Sequence, residues 1–373
     1  MRILMTTDTV GGVWAFSKEL AGALLGEGCA VALVSLGRMP SRAQQAWVDA
    51  QGARWGTKFR FEALDTPLEW MAENDRAFQD AAPVLARAAE EFEVELLLSS
   101  QYCFGATECD IPRIVVAHSD VLSWAEACRA DGLPRSGWLD RYCELVAEGL
   151  RAADAVAVPT HWMLNALATN FRLPHERRVI PNGRTLPQIE PATRKMQAVT
   201  AGRLWDEAKN LRMLEDIDSP MPLIVAGETE YEFARLQLGG GEAKLLGLLN
   251  ESQLLALFRE SAIYICTSRY EPFGLAPLEA ALCGCAVLAN DIPSLREVWG
   301  DAALYFSGAE SLSEWLRRLN DHSGLLTDAQ VRAMNRAREF NAERMAEGYL
   351  ELFRGILREG RGEVSQETAQ HVA

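Results

Sequence analysis

The sequence predicts an α/β chain made of two doubly wound units of similar size, and three observations carry that prediction. Short apolar runs of strand length alternate with amphipathic stretches of helical length through the first half. A break follows, where Pro181-Asn182-Gly183, Pro187 and Pro191 fall close together, which is linker chemistry. The same alternation then restarts and runs to near the end of the chain. A length of 373 residues agrees with two domains, and two units joined by one linker imply a cleft between them, where ligands usually bind.

In the first half the strands are expected at Arg2–Thr6, Ala30–Leu36, Val94–Ser99, Arg113–Ala117, Ala155–Val158 and Arg178–Ile180. Helices are expected at Trp14–Leu25, Arg76–Glu91, Arg141–Arg151 and His161–Thr169, where apolar residues recur at helical spacing. In the second half the strands are Ala198–Ala201, Pro222–Ala226, Ala243–Leu246, Ala262–Thr267 and Ala286–Ala289. The helices there are Asn210–Asp216, Ser252–Ser261, Leu275–Leu282 and Pro293–Trp299, followed by a helical stretch over Thr327–Leu357. From Glu359 to Ala373 the chain turns polar, and a flexible tail is expected.

Composition removes several function classes. Apolar residues make up 49% and charged residues 24%, which excludes disorder and coiled coil. The 37 Lys and Arg face 52 Asp and Glu, a net charge of −15, and this argues against nucleic acid as a partner. No apolar run is long enough to span a bilayer, and the start of the chain has no signal-peptide layout, so a cytoplasmic protein is expected. The eight cysteines are scattered, with no pattern of a zinc or disulfide framework, and no metal site is expected.

Three segments carry chemistry. In Thr7-Asp8-Thr9-Val10-Gly11-Gly12 a strand ends and a helix begins at two glycines, which suits a phosphate above backbone N–H groups; a plain βα turn is the bland reading. In Gly202-Arg203-Leu204-Trp205-Asp206-Glu207-Ala208-Lys209-Asn210 two cations follow a strand, where open α/β sheets bind ligands, although an ordinary charged loop has the same look. In Ser268-Arg269-Tyr270-Glu271-Pro272-Phe273-Gly274-Leu275-Ala276-Pro277-Leu278-Glu279 two carboxylates flank a strand-to-helix corner. They suit a polyhydroxylated ligand, and the amides of Phe273, Gly274 and Leu275 suit an anion. As a bare pair of glutamates, solvated helix charges would explain them as well.

Taken together and in order, these segments resemble a retaining GT-B glycosyltransferase of the group 1 class, family four. The E-x7-E signature is matched by Glu271 and Glu279, G-R-L-x-x-x-K-N by Gly202-Arg203-Leu204 and Lys209-Asn210, and the N-terminal glycine loop by Gly11-Gly12. Val179-Ile180-Pro181-Asn182-Gly183 resembles the family's domain junction. The resemblance implies two Rossmann-like domains facing each other across a cleft. Residues 1–185 would bind the acceptor and residues 186–344 the nucleotide sugar, with a C-terminal helix, about 345–358, crossing back to the first domain.

It also implies roles. Arg203 and Lys209 would neutralise the donor's diphosphate, Glu279 would accept from the ribose, and Glu271 would hold the donor sugar's hydroxyls beside the Phe273, Gly274 and Leu275 amides. Gly11 and Gly12 would bring amides to the distal phosphate or sugar. His118, just after the strand Arg113–Ala117, would contact the sugar near the reacting carbon; a loop or capping histidine is the alternative. The co-substrate would be a nucleoside-diphosphate sugar of UDP, GDP or ADP type, with no further cofactor. The absence of histidine between Asp8 and Leu25, where inverting relatives carry a general base, agrees with retention. A front-face route assisted by the leaving phosphate is favoured, because no motif-matched carboxylate stands out as nucleophile.

The acceptor, a carbohydrate, glycolipid or small molecule, is expected on the first domain, with Trp70, Trp124 and Trp138 as stacking candidates and Asp8 and Asp120 as hydroxyl ligands. Arg42 to Phe61 interleaves basic and aromatic residues as a peripheral membrane contact does, but Gly52 and Gly56 weaken a continuous helix, and a solvated segment is favoured. Two other function classes stay open: a sugar-nucleotide epimerase or hydrolase of the same fold, and a catalytically silent carbohydrate-binding subunit.

Overall fold

A computed structural model describes the chain except for residues 72–73, 187–192, 232–233, 236–242 and 371–373; side chains at 75, 231, 234–235 and 359–370 are likewise outside it. The linker prolines Pro187 and Pro191 therefore lie outside the described residues. The elements run β1 (Arg2–Asp8), α1 (Gly12–Gly26), β2 (Ala30–Leu36), α2 (Arg42–Trp55), β3 (Phe59–Ala63), α3 (Asn74–Glu91), β4 (Leu96–Ser99) and β5 (Arg113–Val116). Then come α4 (Val121–Cys128), α5 (Gly137–Ala152), β6 (Ala155–Val158), α6 (His161–Asn170), β7 (Glu176–Val179), β8 (Lys195–Arg203) and β9 (Leu223–Glu228). The rest are β10 (Glu230–Tyr231), β11 (Ala234–Arg235), β12 (Lys244–Leu245), α7 (Glu251–Glu260), β13 (Ser261–Cys266), α8 (Leu275–Leu282), β14 (Ala286–Asn290), α9 (Pro293–Trp299), β15 (Leu304–Phe306), α10 (Ala309–Asp321), α11 (Ser323–Ala337) and α12 (Ala342–Gln370).

The chain divides into two compact units. The first joins Met1–Val121, Pro134–Gly183 and Ala342–Ala373; the second joins Leu122–Leu133 and Arg184–Asn341. The last helix, α12, thus belongs to the first unit, where Tyr349 packs on Phe16 of α1 with ring centroids 5.9 Å apart. It also continues through most of the stretch expected to be a tail.

The first unit holds a parallel sheet in the order β3-β2-β1-β4-β5-β6-β7. Its central strand β1 is buried from Ile3 to Asp8, because helices cover both faces of a doubly wound sheet. α1 presents Phe16, Leu20, Leu24 and Leu25 inward at helical spacing and stops at Gly28, whose φ of 84° an L side chain resists. The second unit repeats the architecture with β12-β9-β8-β13-β14-β15, all parallel, and β10 and β11 form a separate antiparallel pair. One core cluster holds Tyr264, Phe258, Leu278 and Trp299, and another Ile263, Leu288, Leu312 and Leu316, so alternate residues of β13 serve opposite faces.

Several sequence expectations change. β3, α2, α4, α10 and β15 were not anticipated. α2 runs unbroken through Gly52 because Ser41 and Gln44 close a capping box, with Gln44 Oε1 accepting from the Ser41 N–H at 2.8 Å. Within it, Trp47 meets Trp14 and Phe59 edge-on at 5.7 and 5.9 Å, so that ring packs inward. The helix expected over Asn210–Asp216 is a 3-10 turn over Leu211–Glu215, and the stretch Thr327–Leu357 is divided between α11 and α12. Among the described residues no helix is long and apolar enough to cross a membrane.

Candidate functional site

In the second unit the sheet reverses direction of winding between β8 and β13, and ligands of open α/β sheets sit at the carboxyl ends of the strands at such a point. The two charged segments singled out in the sequence are the loops leaving these two strands. They are stitched together by hydrogen bonds to backbone carbonyls: Arg269 N donates to Ala208 O at 2.8 Å, and the side-chain Thr267 Oγ1 donates to Lys209 O at 2.5 Å. Asn210 turns the first loop with a left-handed φ of 50° and donates from its side chain to Thr267 O at 3.3 Å. Residues far apart in sequence are thereby held at one corner.

Across that corner Lys209 Nζ meets Glu271 Oε2 at 2.5 Å, and Ser268 Oγ donates to the same oxygen at 3.0 Å. Burial alone would lower the Lys209 pKa, but the Glu271 carboxylate overrides it and holds the ammonium above its ordinary value. Arg203 is tethered by Asp206, Nη2 to Oδ2 at 2.8 Å, yet its side chain stays 38% exposed while that of Asp206 is 6% exposed. Asp206 Oδ1 also accepts from Ala208 N at 2.9 Å and from Trp124 Nε1 at 3.1 Å. Burial works to raise this carboxyl, but Arg203, Lys209 and the two N–H donors outweigh it and hold it below the usual range. The corner therefore presents two fixed cations, one of them with its head group open, which suits a diphosphate.

The second loop enters α8 through Gly274, whose φ is 92° and where an added Cβ would stand 2.9 Å from Pro277 Cγ and 3.2 Å from Glu271 Cγ. The N-cap residue Gly274 has no side chain to cap α8, and the N–H groups at the start of a helix have no partner within it. The Phe273 ring is buried edge-on against Phe340 at 5.4 Å, which fixes the backbone at the entry to α8. Glu279 lies inside α8, nearly buried, and pairs with Arg184, Nε to Oε1 at 2.8 Å.

The remaining expected residues divide between the units. Gly11 caps α1 with φ 94°, and Asp8 Oδ1 accepts from Val10 N at 2.8 Å, so this carboxylate shapes the turn. His118 stands just past β5 with its ring edge-on to Phe16 at 4.5 Å and Nε2 3.2 Å from Ser100 Oγ. Burial pushes this imidazole down to about 4, which keeps it neutral at physiological pH. Asp120 is buried, with Asn170 Nδ2 donating to it at 3.4 Å. Trp70 is partly buried, and Trp138 stacks on Tyr142 while its N–H donates to Met71 O at 2.7 Å. Trp124, expected among acceptor contacts of the first domain, belongs instead to the second unit, where it anchors Asp206 and carries the Arg129 guanidinium over its ring at 5.1 Å.

Sequence reasoning missed Asp206, Trp124 as its anchor, and the Arg184–Glu279 pair. Asp206 had a signal, an acidic residue between two cations and two positions before a turn N–H. Arg184 had only its place behind Pro181-Asn182-Gly183, and nothing in the sequence pairs it with α8. All eight cysteines are free, and among the described residues no group of three or more His, Cys, Asp or Glu is placed to hold a metal ion.

Two family patterns match the chain: "Glycosyltransferase Family 4" over residues 10–186 and "Glycosyl transferases group 1" over residues 205–338. A serotype-specific mannosyltransferase, WbdA of Escherichia coli, is 26% identical over 132 residues, which span 34% of this chain and 16% of that protein. The fold is that of sucrose-phosphate synthase from Thermosynechococcus elongatus, at TM-score 0.72 and 16% identity, over 96% of this chain and 100% of the other. It is equally that of Anabaena HepE, solved in complex with UDP-glucose, at TM-score 0.70 and 16% identity, over 95% of this chain and 100% of the other.

Proposed function

The chain belongs to the group 1 glycosyltransferases, and we propose that it moves a sugar from a nucleoside-diphosphate donor to a hydroxyl of a saccharide, glycolipid or small molecule, with retention. The observation that carries this is the cation pair Arg203 and Lys209, braced by Asp206 and Glu271 at the switch point of the second unit. Charge grows on the diphosphate as the glycosidic bond breaks, and fixed cations stabilise that charge most where they need no reorganisation. Arg203 and Lys209 take that role, without a metal. Glu271 then accepts from hydroxyls of the donor sugar, the amides at Phe273, Gly274 and Leu275 face its phosphate, and Glu279 accepts from the ribose.

On the first unit, Gly11 and Gly12 supply amides to the distal phosphate or sugar, and His118 contacts the sugar. An imidazole held neutral serves as a hydrogen-bond partner and not as a proton donor at physiological pH. Retention then follows a front-face route, with the acceptor oxygen entering on the side from which the phosphate departs and its proton passing to that phosphate. The UDP-glucose bound to Anabaena HepE supports nucleotide sugars as the class to test.

The test is thermal stabilisation by UDP, GDP, ADP and dTDP and their sugar conjugates. A ligand at 100 times its dissociation constant adds about 2.7 kcal/mol, a clear shift. Arg203→Ala and Lys209→Ala should each lower turnover by about tenfold or more, the worth of a charge-assisted bond. Unchanged kinetics in both folded variants would remove the diphosphate assignment.

A further inference from the structure

Arg184 is a charge that the reaction as described does not use. Its side chain is 2% exposed, its backbone N–H donates to Phe340 O at 2.9 Å, and its guanidinium bridges two helices. Nε donates to Glu279 Oε1 of α8 at 2.8 Å, while Nη2 pairs with Glu251, the first residue of α7. Glu279 itself is 11% exposed at the side chain and Glu251 is 49% exposed. Of the two carboxylates, the nearly buried one is the less free to turn, so the bond from Arg184 bears most directly on its orientation.

We infer that Arg184 is a positioning residue that aims the Glu279 carboxylate at the ribose hydroxyls of the bound nucleotide, and so sets preference for a ribose bearing both hydroxyls. The inference rests on the reading of Glu279 as the ribose acceptor. Its physical basis is the planar guanidinium, which fixes the plane of a carboxylate where a point charge does not. A carboxylate fixed in plane offers its oxygens to a vicinal diol in one geometry; released, it loses that directionality. Removing one partner of a buried ion pair leaves the other charge without it and lowers stability whatever the pair is for, so the role of Arg184 is read in ligand discrimination by the folded variant and not in folding.

The experiment compares the full chain's affinities for UDP, GDP and ADP with those for their 2′,3′-dideoxy counterparts, by titration calorimetry. For whichever base binds, the parent should prefer the ribonucleotide by about tenfold or more, the worth of a hydrogen bond to a charged acceptor. Arg184→Met should bring that preference to within about twofold while diphosphate-dependent binding persists, and Arg184→Lys should restore part of it. Should Arg184→Met fail to fold, Arg184→Met with Glu251→Gln removes one charge of each sign and reads the same preference. Full preference in the methionine variant, against a preferring parent, overturns the role of Arg184 alone. A parent that binds the diphosphates without regard to the hydroxyls overturns the Glu279 assignment and this inference with it. A parent that binds dTDP alone overturns the preference for both hydroxyls, and one that binds neither these nor dTDP overturns the proposed donor class.

Discussion

Glu271→Gln isolates the pair at the centre of the corner. The replacement keeps the shape and an acceptor oxygen for Lys209 and Ser268 but removes the charge that stands 2.5 Å from Lys209 Nζ. In the parent, burial pulls the Lys209 pKa down, Glu271 pulls it up more strongly, and Arg203 adds a smaller downward push. Without Glu271, burial and Arg203 both act downward, and the direction reverses. With the side chains 20% and 14% exposed, the lost bond is worth about 1.5–3 kcal/mol.

The sign follows from proton linkage. In the parent, folding raises the Lys209 pKa, so its contribution is complete at neutral pH and is lost as pH rises from the unfolded value through the folded one. In the variant the folded value lies below the unfolded one, and stability rises with pH across that interval. The deficit of Glu271→Gln should therefore be largest near pH 7 and shrink toward strongly alkaline pH. Urea unfolding followed by tryptophan fluorescence at pH 7, 9 and 10.5 measures it. A deficit that is absent at pH 7, or independent of pH, refutes the account of the pair.

Two further outcomes are expected. His118, neutral in the fold because burial lowers its pKa from 6.5 to about 4, is protonated first in the unfolded chain. Its contribution is complete above pH 6.5 and lost as pH falls toward 4, up to about 3 kcal/mol, so His118→Gln should show a flatter acid limb in urea unfolding between pH 7 and 4.5. An added Cβ at Gly149 of α5 would lie 1.8 Å from the Tyr102 carbonyl oxygen. No rotamer change relieves a clash with backbone, so Gly149→Ala should cost about 3 kcal/mol or more, read as a lowered urea midpoint.

Much of this protein was determined by the sequence itself. Strand and helix existence followed from periodicity: Ala30–Leu36, Ala155–Val158, Leu275–Leu282 and Pro293–Trp299 were placed to the residue. The loops that carry Arg203, Lys209, Glu271 and Glu279 were legible too, because glycine, proline and charge cluster where a strand hands over to a helix. What escaped were elements held by contacts rather than pattern. β3 and α10 needed their neighbours, and α2 survives Gly52 through its Ser41 cap.

Pairing was decided only in three dimensions. The sequence shows Arg203 and Lys209 as cations and Glu271 and Glu279 as carboxylates, but not that Lys209 faces Glu271 while Arg203 takes Asp206 and Glu279 takes Arg184. Nor does it show that Trp124, encoded within the first half, serves the second unit. Periodicity is local and survives in the linear chain. A partner 62 or 95 residues away is chosen by strand order and loop geometry, which exist only once the sheet has formed.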